Sequence, residues 1–189
     1  AEPTPGGGSA AAFSAAAGAA LVAMVARLTI GRKKYIEVQS EMETVLHHAE
    51  KLRTHLTADI ERDSAAYNSV MDAFRMAKHT PEQLALRKNQ IQTTTLEAAQ
   101  VPLEVARRAL EVLRLAEKAV SMGNVNAISD GASGAAMAKA ALMSAGYNIR
   151  ININNLQDRE TARSLVFEFI DLENQAIQIE EHIQRTLEA

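Results

Sequence analysis

Residues 3–29 read PTPGGGSAAAFSAAAGAALVAMVARLT, a glycine triplet followed by a long alanine-rich apolar run. Alanine has the highest helix propensity of all residues. Ser9 can cap a helix or stand in its first turn. The stretch therefore predicts a helix from Ser9 to about Thr29, and its small side chains suit a position buried among other helices.

The glycine triplet before this helix, Gly6, Gly7 and Gly8, has two interpretations. Glycine gives the backbone freedom, so the triplet can serve simply to start the helix. The free N–H groups at a helix N-terminus also bind anions, so the triplet can instead face a ligand. No Lys-Ser or Lys-Thr pair follows the glycines, which excludes the nucleotide-binding P-loop.

The apolar run over residues 10–29 is long enough to cross a membrane. It consists mainly of alanine, with Ser14 and Gly18, rather than of strongly lipophilic residues. It also lacks the basic segment that begins a signal peptide. We therefore expect a buried helix and no membrane association.

The composition favours one domain over residues 1–189. Hydrophobic residues make up 47% but aromatic residues only 4%, so the core must be built from alanine and aliphatic side chains. The net charge of −3 argues against a nucleic-acid partner, since such proteins usually carry a basic surface. The absence of cysteine excludes disulfides and thiol chemistry and fits the cytoplasm.

The middle of the chain predicts two further long helical stretches. After a break at Gly31, residues 35–77 carry apolar side chains at helical spacing, which predicts one long amphipathic helix. Thr80 and Pro81 form the next helix start signal. Pro102 is expected to kink or divide the helix that follows.

The last third also predicts helices. Residues 149–154 alternate apolar and polar side chains as a strand does, but the chain offers no second strand to pair with them. We therefore assign residues 124–155 as helical, and Asp158 as the cap of a final helix to about Leu187. The sequence predicts an all-α fold, a single up-and-down bundle of five or six helices with one long helix.

Asp59, Asp63 and Tyr67 share one face of the predicted long helix because they stand four residues apart. They can form a solvated acidic stripe. Alternatively, Asp63 projects into a site as a general base, with Tyr67 above it.

Asn148, Asn152 and Asn155 also share a helical face. Asparagine is a mediocre helix former, so this group requires a reason. The side chains can end a helix or bond to neighbouring helices, or their carboxamides can recognise a polar heterocycle. The pattern alone leaves both interpretations open.

Lys139 lies in a stretch of small apolar residues, so it either reaches the surface or is held inside by a partner. Asp130 falls in the first turns of the same predicted helix, where the helix dipole favours a negative charge. Asn124 follows a glycine and can cap that helix.

The basic run of Arg32, Lys33 and Lys34 is either a solvated turn or a binding site for a carboxylate. His48 and His55 can share a helix face, but they form no recognisable zinc motif. We therefore predict no metal site.

Several segments, in this order, resemble the cyclodeaminase/cyclohydrolase family of folate enzymes. This family includes the cyclodeaminase domain of formiminotransferase-cyclodeaminase and free-standing bacterial methenyltetrahydrofolate cyclohydrolases. The segments are PTPGGGSAAA at 3–12, MVARLTIGRKKY at 24–35, IERDSAAY at 60–67, KHTPEQ at 78–83, VPL at 101–103, GNVNAISD at 123–130 and AKAALMSAGYNIRININNL at 138–156.

The resemblance implies an all-helical protein that dimerises through helices and builds its active site near the dimer interface. It implies that the catalytic carboxylate lies in IERDSAAY, at Asp63 rather than Asp59. Family members often carry an aspartate two residues before this one, where this chain has Glu61. They also usually carry an additional N-terminal helix, which we expect to be missing here.

The family's chemistry follows from the resemblance. Cyclodeamination converts 5-formiminotetrahydrofolate to 5,10-methenyltetrahydrofolate and ammonia, by attack of N10 on the formimino carbon. Cyclohydrolysis adds water to the methenyl carbon and gives 10-formyltetrahydrofolate. Both reactions move protons around a cationic amidinium, which one carboxylate can do. We therefore expect no cofactor. The expected substrate is a tetrahydrofolate derivative, with or without a polyglutamate tail.

On this resemblance Asp63 is assigned as the general acid/base. Lys139 and Asp130 are assigned as a second acid/base or charge-stabilising pair. The cations of the basic run are assigned to the glutamate tail. The folate-binding candidates are Gly6, Gly7, Gly8, Ser9, Arg32, Lys33, Lys34, Tyr67, Asn124, Asn148 and Asn152.

Three functions stay open at this point. A cyclohydrolase is slightly favoured because no formiminotransferase domain is present in this sequence, and a cyclodeaminase is the alternative. In a different class, the chain is a non-catalytic helical oligomer in which Tyr67 and the asparagines are packing groups. Small residues such as Ala15, Gly18 and Ala26 also favour self-association, as a homodimer or a higher homo-oligomer.

Overall fold

The structure, a computed structural model, describes residues 3–188. Five α-helices follow one another: α1 Gly7–Thr29, α2 Gln39–Arg75, α3 Pro81–Met122, α4 Ile128–Ile153 and α5 Arg159–Glu188. Two short 3-10 helices, Lys33–Val38 and Val125–Ala127, precede α2 and α4. The described part of the chain contains no strand. The predicted all-α fold is confirmed.

Helix α1 lies inside the bundle, in contact with α2, α3 and α4. Its glycine and alanine residues allow this, because a Cβ atom on Gly18 would stand only 2.7 Å from the backbone oxygen of Gly134 in α4. Ser14 Oγ donates to the backbone oxygen of Met137 at 2.9 Å in the same contact. By length and composition α1 could cross a membrane, yet 61% of its most apolar window is buried within the protein.

The starts of α3 and α5 follow the capping signals of the sequence. Thr80 Oγ1 accepts from the Gln83 backbone N–H at 3.3 Å at the start of α3. Asp158 Oδ1 accepts from two backbone N–H groups at 3.0 Å at the start of α5. Gly31 has a φ of 77°, a left-handed conformation that glycine adopts without strain, and it separates α1 from the segment leading to α2.

Pro102 does not divide α3, which continues from Pro81 to Met122. Of the two outcomes expected at Pro102, a kink or a division of the helix, the division does not occur. Pro102 is buried, and the carbonyl of Ala98, which loses its helical donor at a proline, accepts instead from the Asn152 side chain at 2.6 Å. The segment 149–154 is helical as far as Ile153, as predicted.

The small residues thought to favour self-association are used within the bundle. Ala15, Gly18 and Ala26 are all buried in contact with the other helices of the same chain. They therefore provide no surface for a second copy. The outward side of α1 carries other residues, among them Phe13, which is 63% exposed.

Candidate active site

A cavity of about 310 Å³ opens where the N-terminus of α1 meets α2, α3 and α4. Its size lies at the lower end of the usual range for small-molecule sites. Among residues 3–188, its lining contributes one carboxylate, two carboxamides and one phenol, and no lysine, arginine or histidine. The lining residues are Pro3, Thr4, Gly6, Gly7, Asp63, Ala66, Tyr67, Ala98, Asn148, Ile151 and Asn152.

Asp63 projects from α2 directly against the first turn of α1. A Cβ atom on Gly8 would stand 2.0 Å from Asp63 Oδ1, so only glycine leaves room for the carboxylate there. The N-terminus of α1 carries the partial positive charge of the helix dipole. The glycine at position 8 therefore brings the carboxylate and the helix terminus together.

Ser9 supports Asp63 rather than a ligand. Its side chain is buried, and its Oγ lies 2.9 Å from Asp63 Oδ2, 2.9 Å from the backbone oxygen of Ile60 and 3.2 Å from Ser64 Oγ. A serine hydroxyl has one proton and two lone pairs, so it can donate to only one of these acceptors at a time. It can also accept a hydrogen bond from a protonated Asp63 while donating one to the backbone oxygen of Ile60. Ser9 thus offers Asp63 a partner in both protonation states.

The glycine triplet therefore has divided roles. Gly6 and Gly7 line the cavity, whereas Gly8 is buried under Asp63. The first backbone hydrogen bond of α1 runs from Ala10 N to Gly6 O. No acceptor within residues 3–188 is bonded to the N–H groups of the intervening residues, as is usual in a first helical turn without a side-chain cap.

The two asparagines of the cavity have their amide nitrogens directed to backbone carbonyls of helices. Asn148 Nδ2 donates to the oxygen of Ser144 at 2.9 Å, and Asn152 Nδ2 donates to that of Ala98 at 2.6 Å. A carbonyl only accepts, so the nitrogen must face it in each case. Within residues 3–188 no donor is bonded to the oxygen of either carboxamide, which is left as an acceptor. Asn155, the third member of the predicted face, lies beyond the end of α4.

The three residues predicted to share one face of α2 have different surroundings in the structure. Asp63 and Tyr67 both line the cavity, as a one-turn spacing allows. Asp59 is 2% exposed and is bonded to two arginines, Arg62 at 2.8 Å and Arg108 at 2.5 Å. Asp59 is therefore part of a structural ion-pair cluster and does not belong to a solvated stripe.

The basic run and Asn124 lie at the opposite end of α1. Arg32, Lys33 and Lys34 line a separate surface depression of about 420 Å³ that also includes Asn124. The 23 residues of α1 separate this depression from the cavity by about 33 Å. Asn124 is bonded to the C-terminus of α1, donating from Nδ2 to Leu28 O at 2.9 Å. Within one chain these residues do not meet Asp63.

Lys139 is not paired with Asp130. It forms an ion pair with Glu180 of α5 and lines a different, small cavity. Asp130 precedes Lys139 by nine positions on the same helix, about 13 Å along its axis. A direct Lys139–Asp130 pair is thus excluded within the chain, and neither residue lines the cavity that contains Asp63.

Sequence reasoning missed several residues that line the cavity. Ala98 and Ile151 line the cavity although nothing in their residue types suggests a site. The signal that could have identified Ala98 is Pro102, because a proline inside a helix frees the carbonyl four residues earlier. No group of three or more potential metal ligands occurs among the described residues.

Comparison with known proteins identifies the family to which this helical fold and its carboxylate-containing cavity belong. The sequence model described as formiminotransferase-cyclodeaminase matches residues 1–169. The chain belongs to this family, and the resemblance noted in the sequence is confirmed.

Individual relatives cover most of the chain. A methenyltetrahydrofolate cyclohydrolase of Methylorubrum extorquens is 43% identical over 187 residues, which are 99% of this chain and 90% of that protein. The formimidoyltransferase-cyclodeaminase of Mus musculus is 30% identical over 154 residues, which are 82% of this chain and 28% of that protein. The crystal structure of a formiminotetrahydrofolate cyclodeaminase from Thermotoga maritima matches with a TM-score of 0.90 and 29% identity, over 99% of this chain and 89% of that chain.

Proposed function

We propose that this protein is a methenyltetrahydrofolate cyclohydrolase, which converts 5,10-methenyltetrahydrofolate and water to 10-formyltetrahydrofolate. The observation that carries the proposal is the cavity at the N-terminus of α1, to which the described part of the chain contributes one carboxylate and no cationic side chain. The relative of 43% identity, which is named as a cyclohydrolase and matched over 90% of its length, supports this choice.

The electrostatics of the cavity suit the substrate. The methenyl carbon lies between two nitrogens in a cationic amidinium, and the reaction removes this charge, because a proton is released as water is added. Asp63 supplies a negative charge, and Asn148 presents a carbonyl oxygen. A cavity lined by arginine or lysine would repel the amidinium.

Asp63 acts as general base and then as general acid in this proposal. It takes a proton from the water that attacks the methenyl carbon. It then gives a proton to N5 as the bond from N5 to that carbon breaks, and the second proton of the water is released to solvent. Ser9, bonded to Asp63 Oδ2, accommodates both protonation states of the carboxylate.

A cyclodeaminase is the second candidate, favoured by the Thermotoga and mouse relatives. In that reaction N10 attacks the carbon of the protonated formimino group and ammonia leaves, so the N10 proton passes to a nitrogen that already carries two. The same carboxylate can carry this proton. The two candidates therefore differ in substrate rather than in the catalytic group.

Self-association is part of the proposal because the family is expected to dimerise. The face formed by the outward sides of α1 and α4 carries exposed apolar residues, including Phe13 at 63%, Met143 at 39% and Tyr147 at 63% exposed. A homodimer through this face would cover them. Sedimentation at micromolar concentration measures the mass of the particle, and a monomer would contradict this part.

The experiment that tests the function uses the near-ultraviolet absorbance of methenyltetrahydrofolate. Mixing the protein with 5,10-methenyltetrahydrofolate should speed the loss of this absorbance above the rate without protein. Mixing it with 5-formiminotetrahydrofolate should generate the absorbance if the protein is a cyclodeaminase. Turnover of the second substrate alone would replace the cyclohydrolase with the cyclodeaminase, and no turnover of either would leave a non-catalytic protein.

A further inference from the structure

Pro102 is an unexpected residue in the middle of α3. Proline is the least favourable residue in a helix interior, because it lacks the N–H that bonds to the carbonyl four residues earlier and its ring presses against that carbonyl. Here that carbonyl belongs to Ala98, which lines the cavity that contains Asp63. The helix nevertheless continues without a break through Pro102.

The carbonyl freed by Pro102 has acquired a partner from another helix. Asn152 Nδ2 of α4 donates to Ala98 O at 2.6 Å. This contact fixes the nitrogen of the carboxamide on the α3 side, so Asn152 Oδ1 is turned away from Ala98. No donor within residues 3–188 is bonded to that oxygen. The one buried side-chain polar atom without a partner in this range is Thr95 Oγ1, so Asn152 Oδ1 is not sealed from the cavity.

We propose that Pro102 is a positioning residue for the folate ligand. Its ring displaces the Ala98 carbonyl from the axis of α3, that carbonyl holds the Asn152 nitrogen, and Asn152 Oδ1 is thereby presented as a fixed acceptor. The ligand group it fits is an N–H donor of the pterin. This inference rests on the proposed function, since it assigns the ligand to the same cavity.

Asn148 provides an internal comparison. Its Nδ2 donates to Ser144 O, the carbonyl four residues earlier in its own helix, and no proline has freed that oxygen. A carbonyl that already accepts its helical N–H holds a side chain less firmly. Asn148 can therefore rotate to follow a ligand, whereas Asn152 is held in place before the ligand binds.

The test is a kinetic cycle of Pro102→Ala, Asn152→Ala and the double variant, with methenyltetrahydrofolate as substrate. Pro102→Ala restores the N–H and lets the Ala98 carbonyl turn back to its helix. We expect each single variant to raise KM about tenfold, the effect of about 1.4 kcal/mol of binding energy, with kcat changed less than about twofold. The double variant should equal Asn152→Ala, because Pro102 acts through Asn152.

Val105→Ala is the control, since Val105 is a fully buried residue of the main core one turn along α3. It should lower the melting temperature and leave KM unchanged. Pro102→Ala should still fold, because alanine is the better helix former. An unchanged KM in Pro102→Ala, or KM effects that multiply in the double variant, would overturn the inference.

A second readout separates this inference from the proposed function. If the wild-type protein turns over neither folate, the proposed function fails, and the side-chain amide resonances of Asn152 then decide the link. These resonances should shift in Pro102→Ala and stay in place in Val105→Ala. If the chemical shifts of these resonances are the same in the wild type, Pro102→Ala and Val105→Ala, Pro102 does not hold Asn152 in place.

Discussion

Asp59 and Asp63 are the same residue type, one turn apart on α2, and their surroundings are opposite. Asp59 is 2% exposed and is held by Arg62 and Arg108. Asp63 is half-buried, lines the cavity and is bonded to the neutral hydroxyl of Ser9 at 2.9 Å. Within residues 3–188, no cationic side chain forms an ion pair with Asp63.

The difference shows that the packing partner decides what a carboxylate does. Two guanidinium groups occupy the oxygens of Asp59, so it joins α2 to α3 and is unavailable to a substrate. Asp63 faces the glycine turn of α1, which supplies no side chain at Gly8 and leaves the carboxylate open to the cavity. The first aspartate is expected to contribute stability, and the second activity.

The largest expected effect is on the activity of Asp63→Asn. The amide keeps the shape of the side chain but cannot take a proton from water, so kcat should fall by about 10²–10⁴-fold. The melting temperature should change little, because Ser9 can still bond to the amide. Asp59→Asn serves as the comparison and should retain most of the turnover. Near wild-type turnover in Asp63→Asn would remove this residue from the mechanism.

The next effect concerns the glycine turn. A Cβ atom at position 8 would lie 2.0 Å from Asp63 Oδ1, so Gly8→Ala must displace the carboxylate. A displacement of about 1 Å should lower kcat by about 10–100-fold. Alanine is favoured over glycine within a helix, so loss of stability is not the expected cause.

Gly7→Ala is the matched control in the same turn. Its Cβ would lie 3.2 Å from Asn148 Nδ2, which a flexible side chain can accommodate by a small movement. The expected change is therefore a rise in KM of a few fold at most, with kcat preserved. Equal loss of kcat in both variants would indicate that the turn itself, rather than the space over Asp63, is required.

A stability effect should appear at the other aspartate. Asp59→Asn removes the negative charge that forms ion pairs with both Arg62 and Arg108. Because the side chain of Arg62 is 47% exposed, water can solvate its guanidinium group after the ion pair is lost. We expect a loss of about 1–3 kcal/mol, which is a fall in melting temperature of about 3–10 °C. Calorimetry of both aspartate variants measures it. A larger loss in Asp63→Asn would reverse the assignment of the two residues.

Much of this arrangement could be predicted from the sequence. The capping residues Thr80 and Asp158 correctly predicted where α3 and α5 begin. The helical spacing correctly predicted that Asp63 and Tyr67 lie on the same face of α2. The family resemblance, rather than the spacing, distinguished Asp63 from Asp59. Nothing in the spacing identifies Arg108 as the partner of Asp59, because the pairing depends on how α3 packs against α2.

Two groups of residues assigned to the site lie away from the cavity within the chain, for physical reasons of different kinds. The basic run follows the C-terminus of α1 and the glycine triplet precedes its N-terminus, so the helix length alone separates them by about 33 Å. That separation could have been read from the sequence. The pairing of Lys139 with Glu180 could not, since the residues lie on α4 and α5 and their contact depends on the packing of the bundle.

The smallest expected effect concerns acid stability. The Arg62 hydrogen bond holds the pKa of Glu104 below its usual range, with the charges of Arg62 and Arg108 adding to the shift. A carboxyl whose pKa is lower in the folded state contributes stability above its unfolded pKa, about 4.3, and loses it as pH falls through the folded value. Glu104→Gln should therefore reduce the fall in melting temperature between neutral pH and strong acid, by about 1–3 °C because solvent screens this part-exposed pair.

Glu61→Gln is the control for this measurement, because Glu61 is an exposed residue of α2. Glu61 forms no ion pair within residues 3–188, so the variant measures the effect of exchanging a carboxyl group for an amide without breaking an ion pair. Glu104→Gln should also leave the pH profile of turnover unchanged, since Glu104 contacts the cluster around Asp59 and not the cavity. A shifted pH profile of turnover would show that the two aspartates are coupled, so that the buried cluster tunes the catalytic carboxylate one turn away.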